Sequence, residues 1–296
     1  MTFALRTLAA ALAMMPAVMV AAQRLVIVSS SDAAPYRQAL AGIEKLGYAL
    51  DALSVTTESE TALPAALAHA GRNVALVTLG AAAAAMAARV APTMPAVNCM
   101  VAEGDEYKAA LGAVPVPLDV PVDTSLAWMK RLLPSAHNVG LLFDPAQNER
   151  RADEVAAALR QAGYAPVLEP VTGPSALPSA LARLANHVDA VHAIPDNTVF
   201  RREHSRALLL FSFRQRVPLA GPSEAWVRAG ALYAIEWDYP DLGRYCAALA
   251  LRQLAGNGAP LPAPARTRVV VNQRTADQLR ITWTPELLKA FDRVYE

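Results

Sequence analysis

From Arg24 onward the chain alternates between two hydrophobic periodicities. Arg24-Leu-Val-Ile-Val-Ser29 is a nearly continuous apolar run, the signature of a strand covered on both faces. Asp32 to Leu46 follows with helical spacing, Asp32 as the expected N-cap and Gly47 as the stop. Tyr48–Val55 reads as a strand, Thr61–Ala70 as a helix ending at Gly71, Val74–Leu79 as a strand, Gly80–Val90 as an alanine-rich helix and Pro95–Met100 as a strand. Strands alternating with helices imply βαβ units and a mostly parallel sheet.

The same series then starts again. Asn138–Phe143 reads as a strand, Gln147–Ala162 as a helix, Ala165–Val171 as a strand, Ser175–Asn186 as a helix and Val188–Ile194 as a strand. A helix over Thr198–Arg216 and strands over Val217–Gly221 and Gly230–Ile235 follow. Local sequence echoes the repeat: Leu46-Gly47-Tyr48 answers Ala162-Gly163-Tyr164, and Ala62-Leu63-Pro64-Ala65-Ala66-Leu67 answers Ala176-Leu177-Pro178-Ser179-Ala180-Leu181. The hexamers stand 114 residues apart, as do Leu25 and Val139 at the starts of the two series. Two similar α/β lobes are therefore expected. Three joints are visible between them: the Pro-rich, extended Gly112–Val122, the segment Glu236–Gly243, and Gly256–Pro264. Several crossings make a clamshell, with the carboxyl ends of two sheets facing one cleft. The expected organisation is a leader over 1–22, a first lobe over 23–118 joined by part of 239–296, and a second lobe over 119–238.

The leader stands apart in composition. Arg6 is the only charge among the first 22 residues, Leu8–Met15 is an apolar run broken by Pro16, and Val20-Ala21-Ala22 precedes Gln23. That layout is the one of a cleaved secretory signal peptide, and the apolar stretch is short for a membrane span. A soluble periplasmic protein starting at Gln23 is expected.

Composition narrows the function. The 296 residues carry 27 Lys+Arg against 26 Asp+Glu, and 54% are hydrophobic. Disorder is excluded, the length suits two domains, and near-neutrality argues against a nucleic-acid footprint. Two cysteines rule out a disulfide scaffold and a Cys-rich zinc site. Cys99 and Cys246 both read as buried in separate elements, and two free thiols are expected. No nucleophile elbow, phosphate-binding loop or dinucleotide fingerprint occurs, and the five histidines lack metal-ligand spacing. No catalytic residue, metal or cofactor is expected. His187 and His192 read as a surface and a packed core histidine.

Four segments carry a family resemblance. Val191-His-Ala-Ile-Pro-Asp196-Asn197-Thr198-Val199 ends a strand in an Asp-Asn-Thr turn; Val217-Pro218 to Ser223, Gly230-Ala-Leu and Asp238-Tyr239…Leu242-Gly243-Arg244 follow in order; Val269-Val-Val-Asn272…Leu279-Arg280-Ile281…Pro285 lies near the C-terminus; and Leu132-Leu133-Pro134 precedes Val139–Pro145. The chain resembles the substrate-binding proteins of ABC importers, in the group with tryptophan- and tyrosine-binding members. The resemblance implies a type I periplasmic-binding fold, a small solute held in the cleft and an inner-membrane permease as partner; a monomer is expected, and the near-neutral charge speaks against a nucleic-acid partner. A ligand-sensing periplasmic protein and a secreted α/β enzyme are the alternatives. Where the family has Gly-Thr-Pro or similar, this chain has Gly80-Ala81-Ala82, and its Val101–Val122 segment is shorter than the family's.

The candidate ligand residues are those that follow strands. Asp196 suits a ligand ammonium and Asn197 both donates and accepts; helix capping is the competing role for either. Ser30, Ser31, Gly80 and Ala81 stand after first-lobe strands, where backbone N–H groups can hold a carboxylate, again in competition with capping. Ser223 and Asp238 complete the set from the matching blocks. Tyr36, Trp226 and Trp237 are candidates for stacking on an apolar solute or for plain packing.

Overall fold

The computed structural model describes residues 24–54, 59–71, 73–101, 113–194, 198–256 and 265–296. The expected leader, the Asp196-Asn197 turn and most of the third joint lie outside them. Two sheets are present. The first comprises β1 (Arg24–Ser29), β2 (Ala49–Ser54), β3 (Val74–Leu79), β4 (Ala96–Val101) and β5 (Val114–Pro117), ordered β2-β1-β3-β4-β5 and parallel throughout. The second holds β6 (Asn138–Phe143), β7 (Ala165–Pro170), β8 (Ala190–His192), β9 (Leu219–Ala220) and β10 (Tyr233–Trp237) in the same relative order, β7-β6-β8-β9-β10. It is extended by β11 (Thr267–Asn272), antiparallel to β10, and β12 (Arg293–Tyr295), parallel to β11. The repeat heard in the sequence is thus a repeat of topology: two Rossmann-like lobes with mostly parallel sheets. Gly47 and Gly163, the echoed helix stops, both adopt positive φ, +74° and +91°, the left-handed turn that glycine enters without a Cβ penalty.

Continuous apolar strands arise because each strand face meets its own helix layer. Leu25 and Ile27 of β1 pack with α1 (Ala34–Glu44) and α9 (Tyr239–Ala255), whereas Val26 and Val28 pack with α2 (Ser59–Ala70) and α3 (Ala81–Val90). In the second sheet Val139, Leu141 and Phe143 of β6 meet α4 (Val122–Leu132) and α5 (Pro145–Gln161), and Leu142 meets α6 (Leu177–Leu184) and α7 (Ser205–Gln215).

The chain crosses between the sheets three times. β5 ends the first sheet and α4 begins the second layer. β10 leads back through α9 to the first sheet, and the chain then returns to β11. The Pro-rich joint is part strand: Pro115 and Pro117 sit in β5 at the sheet edge, where a missing N–H costs no ladder bond. α9 lies against α1 through two glycines. A Cβ on Gly42 would stand 1.9 Å from the Pro240 carbonyl oxygen, and one on Gly243 2.0 Å from that of Ala39.

Three expectations are corrected. The cysteines are joined: Cys99 of β4 and Cys246 of α9 form a disulfide with Cα atoms 6.1 Å apart. Both are buried as expected, but the return of α9 lays Cys246 over β4, within bridging reach. The helix read over Thr198–Arg216 starts only at Ser205, after a short 3₁₀ turn at Arg202–His204; Val199 and Phe200 are drawn into the core first. Asp32 does not cap α1. Ala33 occupies that position without a side-chain bond, and the Ala33 N–H donates to Ser31 Oγ at 3.0 Å.

Candidate functional site

A cavity of about 260 Å³ lies where the two sheets and their crossings meet. The first lobe contributes Pro35 and Tyr36 at the start of α1 and Met100 at the end of β4. The crossings contribute Leu118–Val120, Trp237 and Tyr239, but not Asp238; α4 and α5 contribute Val122, Ser125, Arg151 and Val155. The floor is the second sheet, from His192–Ile194 through Ala220–Ser223 to Tyr233, Ile235 and Glu236. Ligands of open α/β sheets sit beyond strand carboxyl ends, beside the point where strand order reverses. The ends of β4, β8, β9 and β10 all reach this cavity.

Strand register builds its floor. His192 pairs with Ala220, and Ala220 pairs with Tyr233, all in parallel ladders. Residues in one such row share a face, so a small alanine lies between a histidine and a tyrosine. Period two along β10 then places Ile235 and Trp237 on the face of Tyr233. Three polar atoms here are sealed without a hydrogen-bond partner: His192 Nδ1, Tyr233 Oη and Trp237 Nε1. Burial, with Arg151's charge adding to it, lowers the His192 imidazole from its ordinary 6.5 to about 4. Burial likewise pushes the Tyr233 phenol far up, with Tyr164 adding a smaller push. Both groups are neutral in the pH range of most solutes.

The cavity's formal charges are already engaged within the protein. Arg151 stands 3.8 Å from Asp119 and 3.7 Å from Glu154. Glu236 accepts from the Glu224 N–H at 3.0 Å and lies 3.6 Å from Arg268; burial nevertheless raises its carboxyl above the usual range. Tyr239 is raised chiefly by burial, then by the carboxylate of Glu236, then by Tyr36 and Asp119. Met100 holds φ at +59° at a bulge in the β4–β5 pairing. A non-glycine residue there is strained and persists only where its surroundings demand it; here the bulge turns a buried side chain onto the cavity wall.

The residues singled out from sequence fall in different places. Ser30 Oγ accepts from the Ala83 N–H at 2.9 Å and so caps α3 from a neighbouring strand. Gly80 is the N-cap of α3 at φ +91°, and a Cβ on it would lie 2.7 Å from Ser30 Oγ and 2.9 Å from the Tyr36 ring. Ser31 closes a local turn, and Ala81 opens α3. These four do not line the cavity, but Tyr36, packed over Gly80, does. Ser223 lines it and precedes α8 (Glu224–Ala229) without a side-chain cap. Asp238 caps α9 through the Asp241 N–H at 3.2 Å and pairs with Arg266 at 2.7 Å. Trp237 lines the cavity, whereas Trp226 packs edge-on against Phe200 with centroids 5.8 Å apart. Asp196 and Asn197 lie outside the described residues; in the sequence they come two and three positions after the cavity-lining Ile194. Sequence reasoning missed Tyr233 and read His192 as core packing. The Tyr-x-Ile-x-Trp alternation of β10 was the available signal; the row across three strands was not.

Among the described residues no three His, Cys, Asp or Glu side chains could hold a metal ion together. Curated protein sequences include no significant match to this chain. Solved structures do match in fold. An ABC domain in complex with L-Trp from Streptococcus pneumonia is 18% identical, with a TM-score of 0.64 over 92% of this chain and 99% of that one. The ligand-free, open form of a substrate binding protein with adhesive properties from Clostridium difficile is 15% identical, with a TM-score of 0.76 over the same shares. A glucose-galactose binding protein from Geobacillus stearothermophilus is 16% identical, with a TM-score of 0.55 over 84% of this chain and 97% of that one. At such identities the likeness is one of fold, the type I periplasmic-binding architecture. The sequence profile of the ABC transporter substrate binding protein family matches residues 118–295, from the first crossing to the last strand; the chain belongs to that family.

Proposed function

We propose that this protein is the periplasmic solute-binding component of an ABC importer, and that it captures a small solute in the cavity between its lobes for delivery to an inner-membrane permease. The observation that carries the reading is the position of the cavity, at the carboxyl ends of strands from both sheets and against two of the crossings. Lobes joined by such crossings can rotate about them and close over a solute. The lobes would be residues 23–118 with the returning α9, and 119–238 with the added β11 and β12. The signal-peptide layout of residues 1–22 supports export, and the protein would act as a monomer without chemistry on its solute.

On the same reading the solute is an amino acid or related small zwitterion. Its ammonium would meet Asp196 and Asn197 past the end of β8, and Asp196→Ala would weaken binding by roughly 1.5–3 kcal/mol, the worth of a charge-assisted hydrogen bond. The experiment is native mass spectrometry of the protein isolated from its own periplasm. The expected result is a mature chain beginning at Gln23 that carries one small molecule, released on denaturation. A chain that carries nothing, and that no fraction of periplasmic extract stabilises, refutes solute capture.

A further inference from the structure

The face of the second sheet that floors the cavity carries a detail that solute capture alone does not require. His192 and Tyr233 pair with Ala220 from either side. Two inter-strand spacings separate them, about 10 Å between backbones, and the residue between them is the smallest that still has a side chain. The row therefore sets an imidazole and a phenol on either side of a methyl group on one face of the sheet. All three residues line the cavity. His192 Nδ1 and Tyr233 Oη are both sealed and have no hydrogen-bond partner. Buried polar groups are nearly always satisfied, and one left without a partner carries an uncompensated desolvation cost. Two such groups, on residues flanking one small residue in the lining of a cavity, are an arrangement whose cost a bound molecule can recover.

We propose that the His192–Ala220–Tyr233 well is a specificity subsite for an uncharged group that both donates and accepts hydrogen bonds, such as a carboxamide or a hydroxyl. A neutral imidazole offers one donor and one acceptor, and a phenol offers both. A carboxamide or hydroxyl matches that pair, whereas a carboxylate can only accept and an ammonium can only donate. The neighbouring charges are engaged elsewhere: Arg151 with Asp119 and Glu154, and Glu236 with Arg268 and the Glu224 N–H. A charged group entering the well would lose its hydration without gaining a free counter-ion. The low protonation range of His192 agrees, since the imidazole is neutral above about pH 4. Trp237 Nε1, also sealed and unpartnered, lies four residues along the same face of β10, roughly 13 Å from Tyr233, where it can donate to a second acceptor nearer the crossing.

This inference rests on the cavity being the solute site, and its test uses probes without a zwitterionic head, so that it can fail independently of Asp196 and of solute capture. Benzamide, benzoate, benzylammonium and toluene share one ring and differ in the head group. Each would be titrated into the full-length secreted protein, labelled with ¹⁵N, with the His192 ring nitrogens as the reporter. Saturable benzamide binding is expected, with the other three at least tenfold weaker. Tyr233→Phe should weaken benzamide at least fivefold and leave toluene unchanged. Ala220→Leu, which fills the floor and removes neither polar group, should abolish benzamide binding and serves as the second variant where Tyr233→Phe fails to fold. Benzoate or benzylammonium binding as tightly as benzamide overturns the proposal, and so does a wild-type protein that binds no benzamide. In either case a solute found by mass spectrometry would still stand.

Discussion

In each sheet the residue after the first strand fastens the segment that follows the third. Ser30 follows β1 and accepts from the Ala83 N–H in α3; Asp144, 114 residues later, follows β6 and accepts from the Thr198 hydroxyl at 2.7 Å. The outcomes differ. In the first lobe α3 begins two residues after β3, and Ser30 satisfies a backbone donor that the N-cap Gly80 cannot. In the second lobe Asp144 also caps its own helix through the Ala146 N–H, and helix α7 waits until Ser205. One topology thus yields a lobe in which the helix follows its third strand at once and a lobe in which it starts only at Ser205. The second difference lies in closure of the core: the first sheet borrows α9 and is bolted to it by a disulfide, whereas the second adds two strands of its own.

The largest expected effect tests the bolt. Cys99 and Cys246 are 147 residues apart, and opening so long a loop in the unfolded chain should cost roughly 2–5 kcal/mol. Urea unfolding of the Cys99→Ala/Cys246→Ala protein should show that loss in the transition of the first lobe. A midpoint unchanged from the oxidised protein would show that α9 needs no bolt.

Gly243→Ala comes next. Its Cβ would meet the backbone oxygen of Ala39 at 2.0 Å, so α1 and α9 must separate, at a cost of about 3 kcal/mol. Gly163→Ala in the second lobe meets nothing within 4 Å and suffers only its positive φ, which should cost about 1 kcal/mol. Equal losses from the two would contradict close packing as the reason for Gly243.

Acid should distinguish the lobes through His192. The folded imidazole titrates near 4 instead of 6.5, so between those values the unfolded chain binds the extra proton. Stability from this group is complete above pH 6.5 and drains away as pH falls towards 4, by about 2 kcal/mol after screening. Glu236 works in the opposite sense, because burial raises its carboxyl and the folded state takes up that proton first. The measurement is therefore a comparison of unfolding free energy across this window for wild type and His192→Gln. The variant should have the flatter profile, and identical slopes would remove His192 from the account.

The smallest effects concern the two fastenings. Ser30→Ala should cost about 1 kcal/mol of stability, as cap removal does. Thr198→Val should cost a similar amount, but it should also change solute affinity, because Thr198 anchors the segment beside the cavity. A Ser30→Ala protein with the larger binding defect would reverse the comparison.

Much of this was legible in the residues. Apolar runs such as Leu25–Val28 and Val74–Leu79 could only be strands covered on both faces, and Gly47 and Gly163 marked equivalent stops. Pairing across distance was not legible. Nothing near Cys246 says that α9 returns to the first sheet, and nothing near Asp32 says that Ala33 will turn on Ser31 instead. For Thr198–Phe200 the helical spacing was real, but core burial of Val199 and Phe200 outweighed it.

Local periodicity, turn glycines and the 114-residue echo therefore determined the two-lobe α/β plan and its crossings, because they depend on residues a few positions apart. The cavity was decided by tertiary structure alone. Its floor exists because register sets Ala220 between His192 and Tyr233, and side chains from positions 192, 220 and 233 become neighbours only when three parallel strands align. Burial then removes the water that would otherwise satisfy His192 Nδ1 and Tyr233 Oη, and both stand without a hydrogen-bond partner.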